Sequence, residues 1–149
     1  KTHAAVGALL ETYAARTNFS GIHGEQIRAR FLGATDFFLE LKDGISKGWS
    51  EVDTLKDIVG LDLLVFDDFA GVRITDYVQS MTAALVDKLY NHTKPTTVFT
   101  SNFNLDQIAT IIDDRTASRL AEMAVVIEIT GPDRRLGGEH VDRQVQECP

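Results

Sequence analysis

Blocks of apolar residues separated by polar segments predict strands that alternate with helices along this chain. The clearest block is Leu-Leu-Val-Phe at residues 63–66, which ends a strand predicted over residues 61–66 and stops abruptly at Asp67 and Asp68. A short apolar run without polar interruption is typical of a strand buried on both faces, as in a parallel sheet. Alternating or β-branched residues predict three more strands, at residues 27–33, 96–100 and 124–129.

Helical periodicity and capping residues predict the helices between these strands. A helix N-cap is expected at Thr35, at either Thr75 or Asp76, and at Asn104. Pro95 ends a helix before the third strand. The predicted helices cover residues 2–16, 35–45, 51–59, 75–92, 104–112 and 114–122. Strands and helices that alternate at this spacing indicate a three-layer α/β fold around a parallel sheet.

Composition narrows the class of protein. A chain of 149 residues with 44% hydrophobic and 25% charged residues suits one globular domain. The net charge of −7 argues against a strongly basic nucleic-acid surface, although a local site stays compatible with it. Cys148 is the only cysteine and the four histidines lack ligand spacing, which argues against a disulfide framework and a metal site. Without a signal peptide or an apolar run of about 20 residues, we expect a cytoplasmic protein.

A second chemical signal lies at the beginning of the chain. Lys1 and Thr2 precede a predicted helix, and a Lys-Thr pair in this place is the end of a phosphate-binding loop. The alternative is an arbitrary dipeptide. The acids at positions 67 and 68 favour the phosphate-binding interpretation, because carboxyl ends of parallel strands are where such sheets bind ligands.

Further polar residues follow the later strands and helices. Asn102 comes directly after the third strand, where it is either a γ-phosphate contact or an ordinary turn residue. Arg115 and Arg119 lie four positions apart on one helix face, where they are either solvated or able to complete a neighbouring subunit's site. Arg134 and Arg135 follow the last predicted strand, where they are either a basic group near the strand ends or part of a charged turn.

These segments together resemble the DnaC/IstB branch of the AAA+ ATPases, which includes bacterial and phage helicase loaders and helper ATPases of transposons. The resemblance implies a three-layer P-loop NTPase core over residues 1–135, followed by a polar tail at residues 136–149. The first strand and most of the Walker A loop are missing from the chain as given. Five segments carry the resemblance in order: residues 1–3, 63–68, 100–102, 114–120 and 130–135.

The resemblance implies a site for ATP and Mg²⁺. Lys1 and Thr2 match the end of the Walker A loop, with the Thr2 hydroxyl as a Mg²⁺ ligand. Asp67 matches the Walker B ligand of Mg²⁺, and Asp68 takes the place that many AAA+ proteins fill with a catalytic glutamate. Asn102 matches the sensor 1 residue.

The resemblance also implies contacts outside the nucleotide site. Arg119 matches the arginine finger that acts on a neighbouring subunit, with Arg115 as a second candidate, and Arg135 matches the sensor 2 arginine. In helicase loaders the segment after Walker B faces single-stranded DNA, and Thr75 and Tyr77 fall there. The alternative for Tyr77 is a core residue of its helix.

The implied function is that of a slow, oligomer-dependent ATPase in DNA replication. It would assemble with copies of itself and with a replicative helicase on single-stranded DNA, with no membrane partner. One alternative is a transposition helper that binds duplex DNA and a transposase. The other is a hydrolysis-deficient domain that binds nucleotide or only a protein partner.

Overall fold

A computed structural model describes residues 5–8, 10–11, 14, 27–92 and 95–129. The described residues between 5 and 14 are helical, which agrees with part of the helix predicted over residues 2–16. The strands are β1 (Ala29–Gly33), β2 (Leu63–Phe69) and β3 (Thr96–Ser101), and the helices are α1 (Ala34–Ser46), α2 (Glu51–Val59), α3 (Asp76–Asn91), α4 (Leu105–Ile111) and α5 (Asp114–Met123).

The three strands form a parallel sheet in the order β1-β2-β3. The central strand β2 pairs with both neighbours, so that Val65 lies beside Phe31 of β1 and Val98 of β3. Residues 63–66 of β2 are at most 2% exposed. The α/β fold with a parallel sheet and a central buried strand is therefore confirmed.

The core lies between β2 and the helices packed against the sheet. Four phenylalanine rings form a continuous series of contacts, with centroids 5.5 Å apart for Phe37 and Phe66, 6.0 Å for Phe66 and Phe69, and 5.5 Å for Phe69 and Phe99. Aromatic pairs at these separations favour tilted or edge-to-face geometry, which the core shows. This packing fixes the carboxyl end of β2 against β3.

Two of the three predicted helix caps are confirmed. Thr75 accepts a hydrogen bond from the backbone N–H of Val78, and Asn104 forms a capping box with Gln107. Thr35 is not a cap: α1 begins at Ala34 after Gly33, with no side-chain cap. Strand β1 passes directly into α1, and this leaves no turn in which Thr35 could act.

The end of β2 and the existence of a fourth strand were predicted wrongly. Strand β2 does not stop at Phe66 but continues through both acids to Phe69. Residues 124–129 were predicted as a strand but have no regular structure, and Val125 and Ile127 are 89% and 77% exposed. A strand needs a ladder partner for its backbone groups, and the sheet of the described residues has only three strands.

Within the described ranges, no helix combines the length and apolar character that crossing a bilayer requires. The predicted tail at residues 136–149 lies outside the described residues.

Candidate functional site

Asp67 and Asp68 lie near the carboxyl end of β2, where the regular strand geometry changes. Between Phe66 and Phe69, β2 advances three residues while β3 advances two, from Phe99 to Ser101. The additional residue is a bulge, a device that redirects side chains next to functional sites. Asp68 has φ 57°, in the left-handed region that short polar residues tolerate. The local backbone therefore departs from the alternation that would send adjacent side chains to opposite faces.

Thr100 of β3 connects the two acids. Its hydroxyl donates to Oδ1 of Asp67 at 2.5 Å and accepts a hydrogen bond from the backbone N–H of Asp68 at 3.0 Å. The hydroxyl has one hydrogen to donate and can accept, so both contacts are compatible. One side chain thus orients the carboxylate of Asp67 and holds the bulged backbone in place.

Asn102 contacts the second acid from the turn that follows β3. Its side-chain amide donates to Oδ1 of Asp68 at 3.1 Å. Ser101 attaches the same turn to β2, because its hydroxyl donates to the backbone carbonyl of Phe69 at 2.8 Å. The structure therefore brings together three predicted site residues, Asp67, Asp68 and Asn102, at one edge of the sheet.

Gly71 allows the chain to turn closely around Asp68. Its backbone N–H donates to the Asp68 carbonyl at 2.8 Å. A Cβ atom at Gly71 would lie 2.1 Å from Oδ2 of Asp68, which is far inside van der Waals contact. A glycine is thus required at position 71 for the observed position of the Asp68 carboxylate.

The oxygen groups at this edge fit a magnesium ion. Mg²⁺ prefers hard oxygen ligands and is usually held by one or two carboxylates together with waters and substrate phosphates. Asp67 and Asp68 supply two carboxylates, and Asp67 is half-buried beside the Thr100 hydroxyl. Among the described residues no group of three or more His, Cys, Asp and Glu side chains has metal-binding geometry.

Arg119 of α5 lies against α3. Its guanidinium forms an ion pair with Asp87 and stands over the ring of Tyr90, with Cζ 5.4 Å from the ring centroid. Arg115 approaches the same Asp87 carboxylate more loosely, at 3.9 Å. The Tyr90 hydroxyl donates to Glu122 at 2.7 Å, and this hydrogen bond is the main cause of the raised pKa of Tyr90. The two candidate fingers thus share one carboxylate partner within the chain.

Thr75 and Tyr77 have different environments at the start of α3. Thr75 is exposed, although its hydroxyl oxygen is engaged as the helix cap. Tyr77 packs against the hydrophobic core, and its hydroxyl is buried. Burial raises the pKa of Tyr77, and the neighbouring Glu51 carboxylate adds to the effect. These contacts favour the core interpretation of Tyr77 over a ring that faces single-stranded DNA.

Three predicted nucleotide-binding residues, Lys1, Thr2 and Arg135, lie outside the described residues. The sequence reasoning missed Thr100 and Gly71. Thr100 was placed in the third strand and in the segment 100–102 that carries the resemblance, but only Asn102 of that segment was given a role in the site. The close approach of the Asp68 carboxylate to Gly71 was indicated by no sequence pattern.

The parallel sheet with acids and an asparagine at its carboxyl edge defines the fold class. It is shared with the solved structures of DnaC and DnaA, to which this chain is similar in fold. The crystal structure of the DnaC helicase loader matches with a TM-score of 0.66 and 24% identity, over 87% of this chain and 71% of that chain.

DnaA structures also match. AMPPCP-bound DnaA from Aquifex aeolicus aligns with a TM-score of 0.57 and 22% identity, over 68% of this chain and 31% of that chain. The replication initiator DnaA bound to AMPPCP and single-stranded DNA aligns with a TM-score of 0.58 and 20% identity, over 83% and 37%. The chain therefore spans only about a third of DnaA. No protein-family model and no curated protein sequence matches the chain.

Proposed function

We propose that this chain is the nucleotide-binding core of an AAA+ ATPase that acts in DNA replication as a helicase loader. The main observation behind this proposal is a pair of side-chain hydrogen bonds at the edge of the sheet, from Thr100 to Asp67 and from Asn102 to Asp68. They occur in a fold similar to that of DnaC. The similarity to DnaC and DnaA favours a replication role over the transposition helper.

The oriented side chains suggest how the site would act on ATP. Thr100 holds the Asp67 carboxylate in one orientation, and this reduces the entropy cost of binding a cation there. Mg²⁺, when bound with ATP, supplies positive charge against the phosphates. Asn102 keeps the Asp68 carboxylate near the end of β3, where it would accept a hydrogen bond from an attacking water. Lys1 and Thr2 complete the phosphate contacts in this proposal.

Substitutions at both ends of the site test the nucleotide proposal in the full-length protein. Lys1→Ala should abolish binding of a fluorescent ATP analogue, while Asp67→Asn should spare binding and remove Mg²⁺-dependent phosphate release. Asp43→Asn is the matched control, since Asp43 of α1 forms a surface ion pair with Lys47, which directly follows the helix. Full nucleotide affinity in the Lys1→Ala protein would contradict the phosphate-loop assignment.

Mixed subunits test whether Arg119 acts on a neighbour. Arg119→Ala subunits retain an intact nucleotide site, and Lys1→Ala subunits retain an intact arginine. Mixing the two inactive proteins should therefore restore part of the hydrolysis, with a maximum at an intermediate ratio. The absence of recovery at every ratio would count against a shared site. Hydrolysis by a self-assembling ATPase is expected to be slow in dilute solution.

Single-stranded DNA is the proposed nucleic-acid partner. With a net charge of −7, binding must come from a local site formed on assembly. The exposed Arg73 and Thr75 precede α3 and follow the acid-bearing strand, a position that would connect nucleotide state to DNA contact. Anisotropy of a labelled oligonucleotide should show ATP-dependent, salt-sensitive binding that Arg73→Ala weakens. Equal affinity with and without ATP would contradict this connection.

A further inference from the structure

The guanidinium of Arg119 is largely enclosed by its own chain. The side chain is only 16% exposed, because Asp87 pairs with it from α3 and the Tyr90 ring covers one face. Arg115, one helical turn earlier, is 76% exposed although it points to the same carboxylate. The difference in exposure shows that Asp87 and Tyr90 enclose Arg119 and leave Arg115 open to solvent.

An enclosed arginine cannot at the same time bind a phosphate on another subunit. A trans-acting guanidinium must present its N–H donors to the phosphate, whereas here the Asp87 carboxylate and the Tyr90 ring occupy its surroundings. Both contacts are of modest strength: a partly exposed ion pair contributes little, and so does a cation–π contact near solvent. A phosphate, which binds arginine through charge-assisted and often bidentate hydrogen bonds, competes well with them.

We propose that Asp87 and Tyr90 form a latch that keeps Arg119 inside its own subunit until a nucleotide-bound neighbour draws it out. This inference rests on the proposed ATPase function. Asp87 is then a positioning residue, which acts on hydrolysis only through Arg119. The latch prevents an isolated subunit from presenting its finger and makes hydrolysis depend on assembly.

The Asp87→Asn substitution opens the latch with little change in shape. Phosphate release is measured against protein concentration in the full-length protein with ATP and Mg²⁺. Below the midpoint of assembly, Asp87→Asn should hydrolyse ATP about twofold to fivefold faster than wild type, as expected when one partly exposed charge pair is lost. At saturating concentration the two rates should converge. Asp43→Asn, which removes the ion pair between Asp43 of α1 and Lys47, should follow the wild-type curve.

A double variant assigns the effect to Arg119. Asp87→Asn combined with Arg119→Ala should show no activation, because the released group is absent. A lower rate for Asp87→Asn at every concentration would overturn the latch, since Asp87 would then prepare Arg119 for its neighbour. Thermal unfolding followed by circular dichroism ensures that only folded variants are compared. If Asp87→Asn fails to fold, Tyr90→Leu replaces it, because this change removes the ring that covers Arg119.

A spectroscopic measurement reads the latch without hydrolysis. In NMR spectra of the isolated protein, rotation about the Cζ–Nε bond of Arg119 should be hindered, and Asp87→Asn should release it. Free rotation in wild type would overturn the latch. If wild type never hydrolyses ATP while Arg119 is hindered, the proposed function and the latch's role in assembly fail. If hydrolysis is normal but Asp87→Asn changes neither reading, only the latch fails.

Discussion

Replacing Thr100 with valine should separate the two acids from the strand that orients them. The substitution keeps the branched shape of the side chain and removes only the hydroxyl. Two hydrogen bonds are then lost, one to the Asp67 carboxylate and one from the Asp68 backbone N–H. Because the first involves a charged group, it belongs to the stronger class of protein hydrogen bonds.

The expected cost follows from the exposure of the partners. A hydrogen bond to a charged group contributes about 1.5–3 kcal/mol when buried, and a neutral one about 1 kcal/mol. Asp67 is only half-buried and Asp68 is exposed, so water replaces part of both contacts. We therefore expect Thr100→Val to lower the free energy of unfolding by about 1–2 kcal/mol.

Urea denaturation of wild type, Thr100→Val and Thr100→Ser measures this cost. Thr100→Ser keeps the hydroxyl and loses one methyl group, so it isolates the hydrogen bonds. Thr100→Val should unfold at lower urea concentration than Thr100→Ser and should also lose Mg²⁺-dependent hydrolysis. Combining Thr100→Val with Asp67→Asn should show a coupling energy of at least about 0.5 kcal/mol. A Thr100→Val protein as stable as Thr100→Ser, with additive effects, would refute the reasoning.

Three more predictions concern neighbouring features. Gly71→Ala should displace the flexible Asp68 carboxylate rather than unfold the chain, and this would appear as reduced hydrolysis at a nearly unchanged unfolding midpoint. Tyr77→Ala should lower stability by about 2–4 kcal/mol through lost core packing, whereas Tyr77→Phe should leave oligonucleotide affinity unchanged in anisotropy. Hydrogen bonds from Ser50 lower the pKa of Asp53 below its ordinary value of 3.8. The ionised Asp53 therefore stabilises the fold above pH 3.8, and this stabilisation is lost as pH falls through the lowered pKa. Ser50→Ala should accordingly make the free energy of unfolding less dependent on pH in the acid range.

The fold was predictable from the sequence because its strongest element is unambiguous. The apolar run of β2 admits few interpretations, and the caps Thr75 and Asn104 mark helix starts through local chemistry. The prediction of a strand at residues 124–129 was wrong because it rested on high β propensity alone. Such propensity describes side chains that fit a sheet, whereas a strand also needs a neighbouring strand to pair with.

The site was predictable only in outline. Strand ends placed Asp67, Asp68 and Asn102 at one edge, and the structure brings them together there. The Thr100 connection depends on the register between β2 and β3, including the bulge, and register is a tertiary property. The enclosure of Arg119 depends on how α5 packs on α3, which helix periodicity alone does not define.

The left-handed backbone at Asp68 restricts how this position can change during evolution. Glycine has no side-chain penalty there, and aspartate and asparagine reduce theirs through local hydrogen bonds. A glutamate would have the same steric penalty with a longer side chain that makes such local bonds less readily. The backbone conformation therefore limits which residues can replace Asp68, in addition to any limit set by the chemistry of the site. A lineage that acquired glutamate at this position would bear a backbone cost of about 1–2 kcal/mol unless the bulge straightened as well.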